Sequence, residues 1–286
     1  MISEEDVGII SKVIASEYSQ FPRRLIEDAR SERNIAESEQ GKYVVELLQN
    51  ADDAQVSEES AKSRKIGDSQ VIFIITDKHM YCANGGYEIS REGLDSICRA
   101  FLSPKRKNTP VIGYKGIGFK SVLALTEQPE IFWHDGAVMF SREITFKTLK
   151  TKASKAVTNL SPDEVPLLRF PHTLDLSEAL NKDQILKRLW EQSATIFRFR
   201  LKSQTARLNA IKRLKEIEAS TILFLNNLTK ITIEIDGSST IYTIAKKELE
   251  RNSNETFTYD LVKAVVNDEN GKSKWMIVSG AYKLPK

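Results

Sequence analysis

The stretch that decides the fold reads Tyr43-Val44-Val45-Glu46-Leu47-Leu48-Gln49-Asn50-Ala51-Asp52-Asp53-Ala54. At about 100° per residue it predicts one amphipathic helix, whose apolar side consists of Val44, Leu47, Leu48, Ala51 and Ala54. Glu46, Asn50 and Asp53 are spaced i, i+4 and i+7 and stack along another side. Such a column of carboxylate and amide oxygens suits a magnesium ion that also keeps water and phosphate ligands. The ordinary alternative is a solvated helix face.

A second stretch is rich in glycine and reads Ile112-Gly113-Tyr114-Lys115-Gly116-Ile117-Gly118-Phe119-Lys120-Ser121-Val122. Glycines at these positions let backbone N–H groups approach an anion closely. The apolar run 122–125 follows and predicts a helix to about Thr126. The positive N-terminal end of that helix would point at the same anion.

Together the two stretches resemble the motifs of the GHKL ATPase superfamily, which includes gyrase, the ninety-kilodalton heat-shock chaperone, histidine kinases and mismatch-repair ATPases. The motifs are Glu-Leu-Leu-Gln-Asn-Ala-Asp-Asp-Ala and Gly-Tyr-Lys-Gly-Ile-Gly-Phe-Lys-Ser, in the family order. Within the superfamily the chain most resembles the heat-shock chaperone branch and its sacsin-like and plant No Vein-like relatives. The resemblance implies an α+β Bergerat fold, a two-layer α/β sandwich in which a mixed sheet carries helices on one face.

The resemblance also implies a role for each motif residue. Glu46 is expected to be the general base that polarises the attacking water, and Asn50 is expected to bind Mg²⁺. Asp53 is expected to support the pocket through water or a basic partner. The glycine loop is expected to bind the phosphates through backbone N–H groups, with charge added by one of its two lysines. Its residues are Gly113, Lys115, Gly116, Gly118, Phe119 and Lys120.

Another family motif, Asp-x-Gly, reads the adenine base, and here Asn84 stands where the aspartate is expected. An asparagine still accepts a hydrogen bond from the adenine N6 group, but it lacks the charge that strengthens this bond. Gly86 is expected to make room for the base. Thr195, which begins an alternating strand, is the preferred hydroxyl near the adenine, and Thr173 is its competitor. The ordinary alternatives are an Asn-Gly turn and a strand threonine.

The rest of the chain is organised around these motifs. Residues 1–20 predict an N-terminal helix, 21–235 the ATP-binding domain, and 236–286 an antiparallel strand extension. The basic, proline-bounded segment 102–111 resembles the ATP lid. Residues 177–192 predict one helix capped by Ser177, and 240–280 predict a series of short strands. Because family members are usually much longer, we expect further domains beyond this extension.

Composition limits the class of protein. The net charge is +3, from 42 basic and 39 acidic side chains, which is too balanced to indicate nucleic-acid binding. The sequence has neither an apolar run of membrane-spanning length nor a basic signal peptide. Cys82 and Cys98 are its two cysteines, and they predict free thiols in a reducing compartment. We therefore expect a cytoplasmic protein.

The expected function is ATP binding and slow, Mg²⁺-dependent hydrolysis to ADP and phosphate, within a larger chaperone-like or defence-type machine. The alternative is a nucleotide-binding switch or pseudo-ATPase, in which Asn84 marks a degraded base pocket. The resemblance implies ATP and ADP as ligands and other subunits or domains as partners. It also admits a homodimer formed through the ATPase domain.

Overall fold

The computed structural model describes residues 2–39, 41–56, 65–99, 118–253, 257–268 and 271–282, apart from the side chains of residues 219, 253, 257–259, 281 and 282. Its α-helices are α1 Glu4–Gln20, α2 Arg23–Ser38, α3 Tyr43–Asp53, α4 Arg91–Cys98, α5 Arg142–Lys152, α6 Leu176–Lys182, α7 Gln184–Trp190, α8 Gln204–Lys215 and α9 Ala219–Leu223. Short 3₁₀ helices span Gly118–Ala124, Ser154–Val157 and Pro162–Glu164.

The described strands form one ten-stranded mixed sheet. They are β1 Lys65–Ile75, β2 His79–Tyr87, β3 Pro129–Trp133, β4 Gly136–Phe140, β5 Pro171–Thr173, β6 Thr195–Arg200, β7 Lys230–Ile235, β8 Ser238–Ser253, β9 Phe257–Asp268 and β10 Gly271–Tyr282. Their spatial order is β10-β9-β8-β7-β1-β2-β6-β3-β4-β5. β1 and β7 run parallel, and the other described pairs are antiparallel.

The main core lies between α3 and the centre of the sheet. Successive side chains of a strand point to opposite faces, so Val71, Phe73 and Ile75 of β1 share one face. All three are buried in the cluster that also contains four residues of the predicted apolar side of α3, namely Val44, Leu47, Leu48 and Ala51. The fifth, Ala54, follows the helix as its C-cap and is only half-buried. The 3₁₀ helix Gly118–Ala124 packs beside α3 and α2 on this same side. The expected α/β sandwich is therefore confirmed.

The prediction placed helices on one face of the sheet, but the opposite face carries a second, smaller helical layer. Ile72 and Ile74, the alternate residues of β1, are buried there with Leu186 and Leu189 of α7. The prediction of one helix over 177–192 was wrong, since two short helices occupy this segment. Asp175 and Asp183, not Ser177, cap them by accepting from the backbone N–H groups of the first turns.

The C-terminal extension continues the same sheet through β7 and β8. The predicted short strands of 240–280 are three long ones, of 16, 12 and 12 residues. α9 packs against β8 and β9, and Lys246 Nζ of β8 donates to the carbonyl oxygens of Leu223 and Leu225. None of the helices in the described part of the chain is long and apolar enough to cross a membrane.

Asp52, in the last turn of α3, links that helix by hydrogen bonds to the loop before β7. Its side chain is fully buried. The two carboxylate oxygens accept hydrogen bonds from the backbone N–H groups of Asn226, Asn227 and Leu228 at 3.0, 2.8 and 2.8 Å. Asp52 and Asp53 are neighbours in the sequence, yet Asp53 remains half-exposed on the predicted oxygen-ligand side.

We expect Asp52→Asn to lower the free energy of unfolding by about 2–3 kcal/mol, because the new amide N–H₂ would face backbone donors that then lose their acceptor. Urea unfolding measures this as a lower midpoint with an unchanged slope. Asp135→Asn, the same change at an exposed turn, is the control and should leave the midpoint unchanged. Equal midpoints for both variants would contradict the anchoring role.

Candidate functional site

The candidate site begins with the oxygen-bearing side of α3. Glu46, Asn50 and Asp53 lie on this side and are each half-buried, whereas the apolar side of the helix is buried against the sheet. The predicted column is therefore present and is not a fully solvated face. Among the described residues, no three His, Cys, Asp or Glu side chains form a metal-binding group. A magnesium ion would consequently need phosphate and water ligands in addition to Asn50.

The end of the glycine loop lies directly against Glu46. A Cβ built on Gly118 would overlap the Glu46 carboxylate, with Glu46 Cγ only 2.7 Å away. The Gly118 backbone is outside the left-handed region, so close approach to Glu46 explains this glycine. The structure thus brings Glu46 and Gly118 together. Gly113, Lys115, Gly116 and the lid segment 102–111 lie outside the described residues.

The surroundings of Glu46 make its carboxylate more basic than that of an exposed glutamate. Burial raises its pKa, and the neighbouring negative charge of Glu39 raises the pKa further. Lys42 opposes this rise but also pairs with Glu39, at 2.8 Å. A carboxylate with a raised pKa and a position beside a glycine loop can accept a proton from water.

Phe119 and Lys120 follow Gly118 and both side chains are buried. The Phe119 ring packs against Phe197 of β6, with ring centroids 5.3 Å apart. Burial lowers the pKa of Lys120, and the nearby Glu32 carboxylate of α2 is the largest influence opposing that shift. The Lys120 side chain therefore helps to join the 3₁₀ helix to α2, and its predicted contact with phosphate stays a prediction.

The predicted base-reading residues meet on two paired strands. Asn84 of β2 and Thr195 of β6 are directly opposite each other in the antiparallel register, and both are buried. Thr195 Oγ1 accepts a hydrogen bond from the backbone N–H of Ile89 at 2.9 Å. Thr173 is exposed on β5, three strands away from β6. The structure places Thr195, and not Thr173, beside Asn84.

Position 86 requires glycine for two reasons, its backbone conformation and the close approach of the turn after α3. Its φ of +97° lies in the left-handed region. A Cβ on Gly86 would be 2.6 Å from the Ala54 carbonyl oxygen and 2.8 Å from Gln55 Nε2. The expected role was to make room for a base, but the volume that this Cβ would enter is occupied by the turn after α3.

Gln55 is a residue of this site that the sequence reasoning missed. It is buried, and its Nε2 donates to the carbonyl oxygens of Ala51 and Gly85 at 2.9 and 2.8 Å. The available signal was its position, since residue 55 continues the apolar side of the α3 pattern four residues after Ala51. A glutamine on the buried side of a helix needs hydrogen-bond partners for its amide, which predicts a specific polar contact.

The region that contains the candidate site is similar to known proteins. The family model described as the Sacsin domain matches residues 31–244, a range that includes α3, β2 and β6. The chain is also similar to Protein NO VEIN of Arabidopsis thaliana, with 22% identity over 258 residues. That alignment covers 88% of this chain but 9% of the relative, so the chain spans only a small part of that protein's length.

We expect Glu46→Gln to stabilise the protein at pH 7. Folding raises the pKa of the Glu46 carboxyl, so the folded state binds its proton more tightly than the unfolded state. The ionised carboxylate therefore destabilises the folded protein as the pH rises above the unfolded-state pKa of about 4.3. The gain should therefore disappear as the pH is lowered towards 4. Urea unfolding of both proteins at several pH values measures it.

Glu143→Gln is the control of opposite sign. Lys147 lowers the pKa of Glu143, so removing that charge should not stabilise the protein at pH 7. A Glu46→Gln variant that is less stable than the wild type at pH 7 would contradict the assigned electrostatics.

Proposed function

This chain belongs to the sacsin-domain family, and on that premise we propose that it is an ATP-binding module that hydrolyses ATP slowly with Mg²⁺, within a larger chaperone-like protein. The observation that carries the proposal is the contact between Gly118 and the Glu46 carboxylate. It joins a glycine-rich loop, which suits phosphates, to a carboxylate of raised pKa, which suits activation of water. The GHKL resemblance of the motifs supports the same assignment.

In this mechanism Glu46 is the general base. Its carboxylate would orient a water molecule and take up the proton that the water loses as it attacks the terminal phosphorus. Burial and the charge of Glu39 favour the protonated form of Glu46, which makes proton uptake easier. The closeness of Gly118 fixes the carboxylate beside the phosphate loop.

Asn50 is the residue that would hold the magnesium ion, through its amide oxygen. When bound, the ion would neutralise charge on the phosphate oxygens. Asn50 lies one helical turn beyond Glu46 on the same half-buried side of α3. Asp53, one further turn along, is expected to support this arrangement through water.

Asn84 and Thr195 would bind the base. Their register opposite one another on β2 and β6 supports this role, because the strand pairing brings these two buried polar residues together. A second candidate function is a nucleotide-binding switch without significant turnover. It is favoured by the neutral Asn84 in place of an aspartate, since the base then loses a charge-assisted hydrogen bond.

The test of the proposal is Mg-ATP binding followed by phosphate release. We expect the wild type to bind Mg-ATP and to release phosphate slowly. Glu46→Gln should keep the affinity and lose turnover by about 100-fold or more, the usual contribution of a positioned general base. Glu143→Gln, at an exposed position on α5, is the control and should keep both.

The outcomes separate the two candidate functions. Binding without phosphate release in the wild type would favour the switch. Unchanged release in Glu46→Gln would remove Glu46 from the mechanism. Absence of nucleotide binding in the folded wild type would contradict both functions.

Gly118→Ala tests the contact itself. The added methyl would displace the flexible end of Glu46 rather than any backbone atom, so we expect a folded protein that binds Mg-ATP and has lost most of its turnover. Gly8→Ala adds the same methyl to α1, where it would meet no atom within 4 Å apart from the adjacent part of α1 itself, and should leave turnover unchanged. Full turnover in Gly118→Ala would show that the position of the Glu46 carboxylate is unimportant.

A further inference from the structure

Two side-chain amides converge on one backbone oxygen at the candidate base pocket. The carbonyl oxygen of Gly85 accepts from Asn84 Nδ2 at 2.9 Å and from Gln55 Nε2 at 2.8 Å. Both amides are buried, with 3% of Asn84 and 6% of Gln55 exposed. A carbonyl oxygen accepts only, so it must face the NH₂ group of each amide and not the oxygen. The orientation of both side chains is thereby fixed.

The fixed orientation changes what Asn84 offers to a ligand. A freely rotating asparagine presents either a donor or an acceptor, and it would not discriminate between a 6-amino and a 6-oxo purine. With Nδ2 held by the Gly85 carbonyl the amide cannot flip, so Oδ1 keeps one fixed position as an acceptor for a ligand. In this orientation Asn84 matches the hydrogen-bonding character of the aspartate that it replaces.

Gln55 holds the Gly85 carbonyl in place. The peptide that follows this carbonyl joins two glycines, Gly85 and Gly86, which permit backbone conformations that other residues resist. Gln55 Nε2 ties the carbonyl to α3, because it also donates to the Ala51 carbonyl oxygen at 2.9 Å. Without Gln55, the Gly85–Gly86 peptide would be freer to turn its oxygen away and release the Asn84 amide.

Gln55 also has a feature that its packing does not explain. Within the described residues its Oε1 is buried and has no hydrogen-bond partner. An unpaired buried acceptor is unfavourable, whereas an apolar side chain of similar size would avoid it. The two donor contacts of Nε2 are therefore what this side chain contributes.

We propose that Gln55 is a positioning residue that makes the base pocket selective for a 6-amino purine, by locking Asn84 through the Gly85 carbonyl. This inference rests on the proposed function, since it assumes that Asn84 meets a nucleotide base. It adds a residue outside the motif column and predicts stronger base selectivity than an asparagine alone would give.

The test compares ATP with inosine triphosphate, which carries a 6-oxo group in place of the 6-amino group. We expect the wild type to bind ATP at least about tenfold more tightly than inosine triphosphate. Gln55→Met should reduce this preference to about threefold or less. Gln192→Met is the matched control. Its amide also donates to a helix carbonyl four residues back, that of Arg188, but the Gln192 side chain is exposed in the turn after α7.

A second variant separates locking from simple structural support. In Asn84→Asp the acceptor cannot rotate into a donor, so adding Gln55→Met to it should leave the ATP preference intact. If Gln55→Met does not fold, Gln55→Asn replaces it, since its shorter amide cannot span both carbonyls. Equal loss of affinity for both nucleotides, with an unchanged ratio, would overturn the inference while leaving the proposed function in place. Absence of ATP binding by the wild type would instead overturn the proposed function and this inference with it.

Discussion

The closeness of α3 to β2 is the constraint on which the site depends. At Gly86 the turn after α3 leaves no room for a Cβ, because the Ala54 carbonyl oxygen and the Gln55 amide already fill that volume. On Gly85 a Cβ would overlap the Asp68 carbonyl of β1. Gly86 therefore lets helix and sheet approach to hydrogen-bonding distance, shown by the 2.7 Å bond from Tyr87 N to Ala54 O, whereas Gly85 lets β1 and β2 approach each other. This approach sets where the oxygen-bearing side of α3 stands relative to Asn84.

The sequence predicts α3 and its two sides well because a 3.6-residue period is a local property. Asp52 shows where local reasoning ends. Its helical phase, about 100° from that of Asp53, separates it from the oxygen-bearing column. The sequence does not show its partners, which are backbone donors at residues 226–228, 174–176 positions along the chain. Lys120 is similar, since its buried position beside Glu32 depends on how α2 packs. The pairing of Asn84 with Thr195 was accessible only through the motif order of a family.

The strand extension was harder to predict for a different reason. Alternation is a reliable strand signal when one face of a sheet is buried. Among the described side chains of β8–β10 the buried apolar residues are few, chiefly Ile244, Ala264 and Val266. Trp275, Met276 and Val278 of β10 remain exposed. Backbone hydrogen bonding between the strands, which does not depend on side-chain type, continues β8–β10 through their polar stretches. The breaks in the apolar pattern that predicted turns therefore lie inside strands.

A buried glutamate, Glu32, and a half-buried one, Glu46, show how the scaffold and the site differ. Burial raises the pKa of Glu32, but its carboxylate accepts from the backbone N–H groups of Leu167 and Leu168 at 2.6 and 2.8 Å, which favours the charged form. Glu46 is raised by burial and by Glu39, with Lys42 opposing the shift. The carboxylate oxygens of Glu32 thus form hydrogen bonds that stabilise the fold. Glu46 keeps a carboxylate that is costly to ionise next to a glycine, an arrangement that stability alone does not favour and that proton transfer would require.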